Sequence, residues 1–382
     1  MWVESLRWSD GNGWQGADDA GSRSPQLVLL FGPADMLKTS SAAHALAQKF
    51  PNAIQLGCST GTTLDGLHLS DDLLTATCIG FGSTRVRLAL QGLTSADDSR
   101  SAGEALGREL AAPDLAAVFV LSEGLGVNGS SLVEGLNRTI GYGVKLGGGL
   151  AGDGARFADT LVTIAGNSAR GVVAAVGFYG ADIRVSQGSA GGWDEFGPLR
   201  TITESSGNVL SALDGKAALD LYERYLGDEA AALPASALFY PLKVWNPAHP
   251  EDAVVRTVLS IDRDARTMTF AGDVPTGWHA RLMRGSFDRL TNGAAEAARI
   301  ARAAMSGTDG NAALCLFVSC VGRRLLMGQR AEEEVEAVAH VLGASTPIAG
   351  FYSYGEIGPN RNAGIAALHN QTVTLTLLAE AA

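Results

Sequence analysis

Two short stretches near the C-terminal end carry the residues best suited to chemistry. The run SCVGRR (319–324) closes an apolar segment with a thiol, Cys320, and two guanidinium groups, Arg323 and Arg324. The run GFYSYGEIGP (350–359) sets Tyr352, Tyr354 and Glu356 among Gly350, Gly355 and Gly358. A guanidinium is a planar fork that matches a carboxylate or a phosphate. A tyrosine brings an apolar face with a polar tip. Arg323 and Glu356 are therefore expected to hold opposite ends of an amino acid, guanidinium to carboxylate and carboxylate to ammonium. The alternative is structural: Arg323 pairs with an acid such as Glu356 and pins a turn. Cys320 is either an inert strand cysteine or a thiol activated by the adjacent arginines. Glycines this dense predict a tight loop, because they adopt turns that other residues resist.

Three other patterns invite a chemical reading. GCSTG (57–61) matches G-x-S-x-G, the nucleophile elbow of hydrolases, with Ser59 as nucleophile. An equivalent loop, GGLAG (148–152), has Leu150 where Ser59 stands, and no histidine is placed for a triad. GGGLAG (147–152) matches G-x-G-x-x-G, but a turn and a strand follow it rather than a helix. No acid lies between Asp159 and Asp182, where a dinucleotide site would want one. Cys58, Cys78, Cys315 and Cys320 form no C-x-x-C pair, and the six histidines form no H-x-x-x-H, so no metal site is expected. One histidine suffices as an axial haem ligand, so spacing leaves haem open.

The elements that must position these residues repeat. An apolar strand, a helix, a second strand and a glycine loop occur three times: QLVLLFG (26–32) to GCSTG, LAAVFVLSEG (115–124) to GGLAG, and AALCLFVSCVG (312–322) to GFYSYG. The helices are expected near 40–50, 130–141 and 329–343, with a capping box at Ser131 and Glu134 and with Glu332, Glu333 and Glu334 on the positive helix end. Positions 50, 141 and 343 each lie seven residues before Gly57, Gly148 and Gly350. First strands that are apolar throughout are buried on both faces, and strand–helix–strand order predicts parallel crossovers. The segments after each loop alternate and predict antiparallel strands. The expected fold is α/β, with mixed sheets built from repeated strand–helix–strand units in two similar halves. A long helix is predicted over 205–227, and a boundary near 228 separates domains 26–228 and 229–382. Residues 1–25 read as a flexible tail, with Trp2, Trp8 and Trp14 either frayed or docked.

Composition limits the function. A net charge of −11 and the lack of a basic run argue against nucleic acid. No apolar stretch has the length of a membrane span. The N-terminal residues lack the basic and apolar regions of a signal peptide, and with four cysteines this predicts a cytoplasmic protein.

The runs SCVGRR (319–324), PIAGFYSYGEIGP (347–359) and LHNQTVTLTLL (368–378) resemble the FIST C-terminal domain. GCSTG (57–61) and GGGLAGDGARF (147–157) resemble the FIST N-terminal domain. The resemblance implies an intracellular sensory module that binds a small polar ligand, amino acids among them, and passes its signal to a separate partner such as a histidine kinase. The ligand contacts expected in this chain are Arg323, Glu356, Tyr352, Tyr354, Cys320, Gly350, Gly355 and Asn370, with Gly148 and Gly149 as backbone donors and Asp153 as a carboxylate from the other half. Haem-based sensing is the alternative implied by some FIST-type proteins. A hydrolase or thiol enzyme using Ser59 or Cys320 is a further one. One departure stands in the first loop, GCSTGTTLDG, where a Gly-Glu-like step is expected after the threonine and Asp65 is the nearest acid.

Overall fold

Each of the three apolar runs is a strand buried on both sides, and around each the chain builds the same unit. The structure, a computed structural model, describes residues 1–16, 23–39, 41–141, 143–305, 312–360 and 365–381. The first unit comprises β1 (Trp2–Ser9), β2 (Gly13–Gly16), β3 (Leu27–Gly32), α1 (Ala34–Thr39), α2 (Ala42–Lys49), β4 (Ile54–Ser59), β5 (Thr63–Asp65), β6 (His68–Ser70) and β7 (Thr75–Gly80). The second comprises β8 (Arg85–Gly92), α3 (Ser99–Leu110), β9 (Leu115–Ser122), α4 (Gly129–Ile140), β10 (Lys145–Leu150), β11 (Val162–Ile164), β12 (Asn167–Ala169) and β13 (Val172–Tyr179).

The third unit opens with β14 (Ile183–Ala190) and is then interrupted by an inserted sheet. The insert holds β15 (Trp193–Ser206), β16 (Val209–Leu213), β17 (Lys216–Ala217), α5 (Ala218–Leu226), β18 (Leu242–Trp245), β19 (Val254–Arg256), β20 (Val258–Asp262), β21 (Thr267–Phe270) and β22 (His279–Gly285). The unit resumes with α6 (Phe287–Ala304), β23 (Leu314–Cys320), α7 (Val321–Met327), α8 (Glu332–Leu342), β24 (Ile348–Ser353), β25 (Gly355–Pro359), β26 (Ala366–His369) and β27 (Val373–Glu380).

The expected parallel pairs are present: β3 with β4, β9 with β10, and β23 with β24. In each unit the strand after the glycine loop returns antiparallel to the first strand, as β7, β13 and β27. The sheets are therefore mixed. Alternate residues of each first strand face different cores. Leu29 and Phe31, Phe119 and Leu121, and Leu316 and Val318 meet in one central cluster. Their neighbours Leu30, Val120 and Phe317 pack outward in separate clusters. Period-2 alternation with apolar residues on both faces gives the continuous apolar run seen in the sequence.

The units are closed into a ring by exchanged hairpins. β5 of the first unit pairs with β24 of the third. β11 of the second pairs with β4 of the first. β25 of the third pairs with β10 of the second. Each glycine loop thus hands the chain from its own sheet to a neighbour's. The run 350–359 is accordingly not one tight loop but two strands in two different sheets, joined at Tyr354. The shared glycines are explained by the close approach of the paired strands. A Cβ at Gly57, Gly148 or Gly350 would lie 2.1, 1.9 or 1.8 Å from the carbonyl oxygen of Leu30, Val120 or Phe317.

Four local expectations are corrected. Trp2–Ser9 is a strand on β7 rather than part of a flexible tail, because its alternating side chains give Leu6 and Trp8 a core to enter. Trp14 donates its indole N–H to Ala42 O at 2.8 Å. Residues 17–22 of that segment lie outside the described residues. The helix expected over 205–227 forms only at Ala218–Leu226. Before it, Gly207, Asp214 and Gly215 have positive φ and bracket the strand β16, a conformation no helix tolerates. The cap of α4 is Asn128, whose side chain accepts from Ser131 N at 3.1 Å, while Glu134 reaches Arg100 and Arg138 instead of closing a capping box. The strand expected to run to 322 ends at Cys320, and α7 stands at Val321–Met327, where no helix was expected.

Candidate functional site

The carboxyl ends of β23 and β24 carry two buried polar clusters. In the first, Arg323 from α7 faces Glu334 from α8. Its Nε donates to Glu334 Oε2 at 2.7 Å, and Nη2 lies 2.5 Å from the same oxygen; both side chains are fully buried. Nη2 also donates to Leu290 O at 2.8 Å, and Nη1 donates to Gly191 O. Ser319 donates to Glu334 Oε1 at 2.7 Å and the Tyr352 hydroxyl reaches it at 3.4 Å. Burial, and then the Glu334 carboxylate, push the Tyr352 hydroxyl well above its ordinary pKa. The ion pair considered for Arg323 therefore exists, but its acid is Glu334, not Glu356. Glu334 sits in the first turn of α8, as the charge pattern required, and its inward aim is what the sequence did not reveal.

The second cluster surrounds Glu356. This carboxyl is completely buried and accepts three hydrogen bonds: from Ser353 Oγ at 2.8 Å, from Thr372 N at 3.0 Å and from Thr372 Oγ1 at 2.9 Å. Burial raises its pKa to about 8 despite those donors. Across the ladders Glu356 lies opposite Gly149 on β10 and His369 on β26. Gly148 and Gly149, expected as backbone donors to the ligand, are ladder partners of Ile357 and Glu356 instead. Cys320 is buried, and its thiol is pushed far up by burial and then by Glu356. That is the environment of an inert thiol. Asn370 donates to Tyr354 O at 3.3 Å.

Tyr354 and Asp153 form a third contact. The Tyr354 hydroxyl donates to Asp153 Oδ1, and its ring stacks on Phe157 at 4.6 Å. Asp153 accepts from the backbone N–H groups of Phe157, Ala158 and Asp159 at 2.9–3.0 Å, which folds the loop after β10. Ser59 also ties loops together: its hydroxyl donates to Gly152 O and accepts from Leu161 N, both at 2.9 Å. A serine held in this way between backbone groups cross-links the two loops.

A cleft of about 350 Å³ opens beside the first two clusters, between the inserted sheet and the ring. Trp193, Lys243, Val255 and Met283 line it from the insert, and Gly191, His369 and Thr372 from the ring. Lys243 is paired with Glu195 at 2.7 Å, and its ammonium lies 5.3 Å from the Trp245 ring centroid. His369 Nε2 is 3.2 Å from Pro359 O. The Trp193 indole donates to Gln371 O at 2.5 Å, which fixes the ring at the mouth. Thr372 belongs to both places: it lines the cleft and holds Glu356. The residues that line the cleft were not among those expected from the sequence, which named Glu356 behind Thr372 and Asn370 beside His369. It missed Thr372, His369 and Lys243, although HNQT (369–372) signalled the first two. Lys243 comes from the insert, and nothing in its own segment marked it. His249, Glu251 and Asp252 on the rim are the one group among the described residues that brings three metal-type donors within 4.8 Å; the first two are exposed.

Matches to two family models divide the chain: the FIST N domain over residues 26–216 and the FIST C domain over residues 218–359. A search of curated proteins gives no match. Among the described residues no helix is long and apolar enough to cross a membrane. FIST domains are sensory modules of signal transduction, and this chain, carrying both across nearly its whole length, belongs to the FIST family.

Proposed function

We propose that the chain is a cytoplasmic sensor that binds a small polar ligand, of amino-acid type, in the cleft between insert and ring and signals to a separate protein such as a histidine kinase. The observation that carries this reading is the cleft itself. It joins two structural bodies, mixes apolar walls with a few convergent polar groups, and is backed by a buried carboxyl of raised pKa. Lys243 offers a cation to a ligand carboxylate. Thr372, His369 and Asn360 offer hydrogen bonds, and Trp193 and Met283 offer apolar contact. Arg323 has every nitrogen engaged by protein oxygens, so its part is to fix α7 against α8 and the turn at Gly191. The four buried cysteines, none disulfide-bonded, suit a reducing compartment.

A thermal-shift screen against the twenty amino acids and related small acids tests the reading. A ligand confined to the native state raises stability by about 2.7 kcal/mol at one hundred times its Kd. A selective shift that is lost in Lys243→Ala supports the cleft. No shift with any compound overturns the amino-acid reading.

The haem alternative has one supporting observation, a groove of about 600 Å³ where His340 stands among Leu67, Ala339, Pro347 and Ile348. An axial histidine beside apolar walls is what haem requires. A Soret band in protein produced with haem supply, and its loss in His340→Ala, would move that reading ahead.

A further inference from the structure

Thr372 stands between two places that want its proton. On one side it lines the cleft. On the other its N–H and Oγ1 both reach Glu356 Oε2, at 3.0 and 2.9 Å, while Ser353 Oγ donates to Oε1 at 2.8 Å. An ionised carboxylate only accepts, so both hydroxyls must turn their protons toward it. A protonated carboxyl carries a donor of its own. It then gives its O–H to one of those hydroxyl oxygens, and that hydroxyl turns its proton to another acceptor. Thr372 also lines the cleft, so a ligand bound there can supply that acceptor.

We propose that Thr372 is a proton-gated donor in the cleft wall: its hydroxyl is held inward while Glu356 is ionised, and is released to an acceptor oxygen of the ligand when Glu356 takes up a proton. The proton comes from solvent and stays on Glu356, and no covalent bond of Thr372 changes. The gate favours ligands that carry a carboxylate or another small oxyanion, because Lys243 lines the same cleft as Thr372. This inference rests on reading the cleft as the ligand site.

The groups facing Glu356 allow both states. Cys320 and Arg323 approach from the junction of β23 and α7, and His369 lies opposite on β26. β10 presents Gly149, with no side chain. The Arg323 charge is matched by Glu334, so it does not lock Glu356 in the ionised form. Burial places the change of state at about pH 8, within reach of cellular conditions.

The amide proton of Thr372 reports the protonation of Glu356, because that carboxyl is its acceptor, and Thr372→Val reports the part of the hydroxyl. In nitrogen–proton NMR spectra of the full chain between pH 6 and 9.5, the Thr372 resonance is expected to follow one titration centred near 8. The resonance should stay flat in Glu356→Gln. A flat wild-type curve overturns the gate. So does a titration that survives in Glu356→Gln, since His369 or another group would then be its source. Should that variant fail to fold, Thr372→Val decides: it removes the hydroxyl donor and keeps the amide, so the midpoint must rise, and an unchanged midpoint overturns the proposal. No ligand enters this experiment. A screen without hits would therefore sink the ligand reading and leave the gate standing, whereas a flat titration alongside a selective hit would do the reverse.

Discussion

Glu356 is a carboxyl that the fold removes from water while giving it no charge of its own to face. Its burial and its raised pKa have a consequence for stability. In the unfolded chain a glutamate releases its proton near 4.5, whereas the folded chain holds this one to about 8. Between those values the native state binds the extra proton, so the contribution of Glu356 to stability falls as pH rises and levels off above about 8. The slope reaches at most about 1.4 kcal/mol per pH unit. Urea midpoints of wild type and Glu356→Gln at pH 6, 7, 8 and 9 should therefore diverge, with wild type losing ground as pH increases. Parallel curves would contradict the burial argument. Arg323 presents the opposite design, a cation whose full hydrogen-bond set is met inside the protein. Removing Glu334 alone would strand it, which is why buried pairs of this kind are costly to break and uninformative to count.

At the scale of the element, the recurring glycine is the feature to test. Gly57, Gly148 and Gly350 occupy the same step of β4, β10 and β24, and each passes close to a carbonyl of its parallel neighbour. Alanine at any of them pushes a methyl into backbone, which cannot yield as a flexible side chain would. Each of the three substitutions is expected to lower stability by about 1–3 kcal/mol or more. Gly92, at the end of β8, has no neighbour within 4 Å and no positive φ. Gly92→Ala is the control, expected to raise stability by about 0.4–1 kcal/mol through the unfolded chain. Denaturation midpoints of the four variants check both signs at once. The alignment of glycines was legible in the sequence. Their reason was not, since the carbonyl each one avoids belongs to a strand more than 20 residues away.

At the scale of the whole molecule, the exchanged hairpins join the two family domains through shared sheets. The hairpin of β5 and β6 completes the sheet of the third unit, and that of β25 and β26 completes the sheet of the second. A cut at the family boundary, after residue 217, leaves β10 and β24 with open edges and exposes part of the central cluster. Exposed strand edges of this kind are templates for aggregation. Residues 1–217 and 218–382 produced separately should lack a cooperative thermal transition, whereas co-produced halves should associate and recover one. Two separately folded halves would show that the exchange is dispensable.

The sequence by itself determined the repeated unit, the parallel pairs and the mixed character of the sheets, because apolar runs, glycines and helix caps act over short distances. It also marked out Glu356 and the HNQT run by their types. Tertiary structure alone decided which partner each buried charge would have. Arg323 took Glu334 rather than Glu356 because α7 and α8 pack against each other, and Lys243 reached the cleft because a separate sheet was set against the ring. Charge pairing and cleft formation depend on how separate elements pack against one another, which no local pattern encodes.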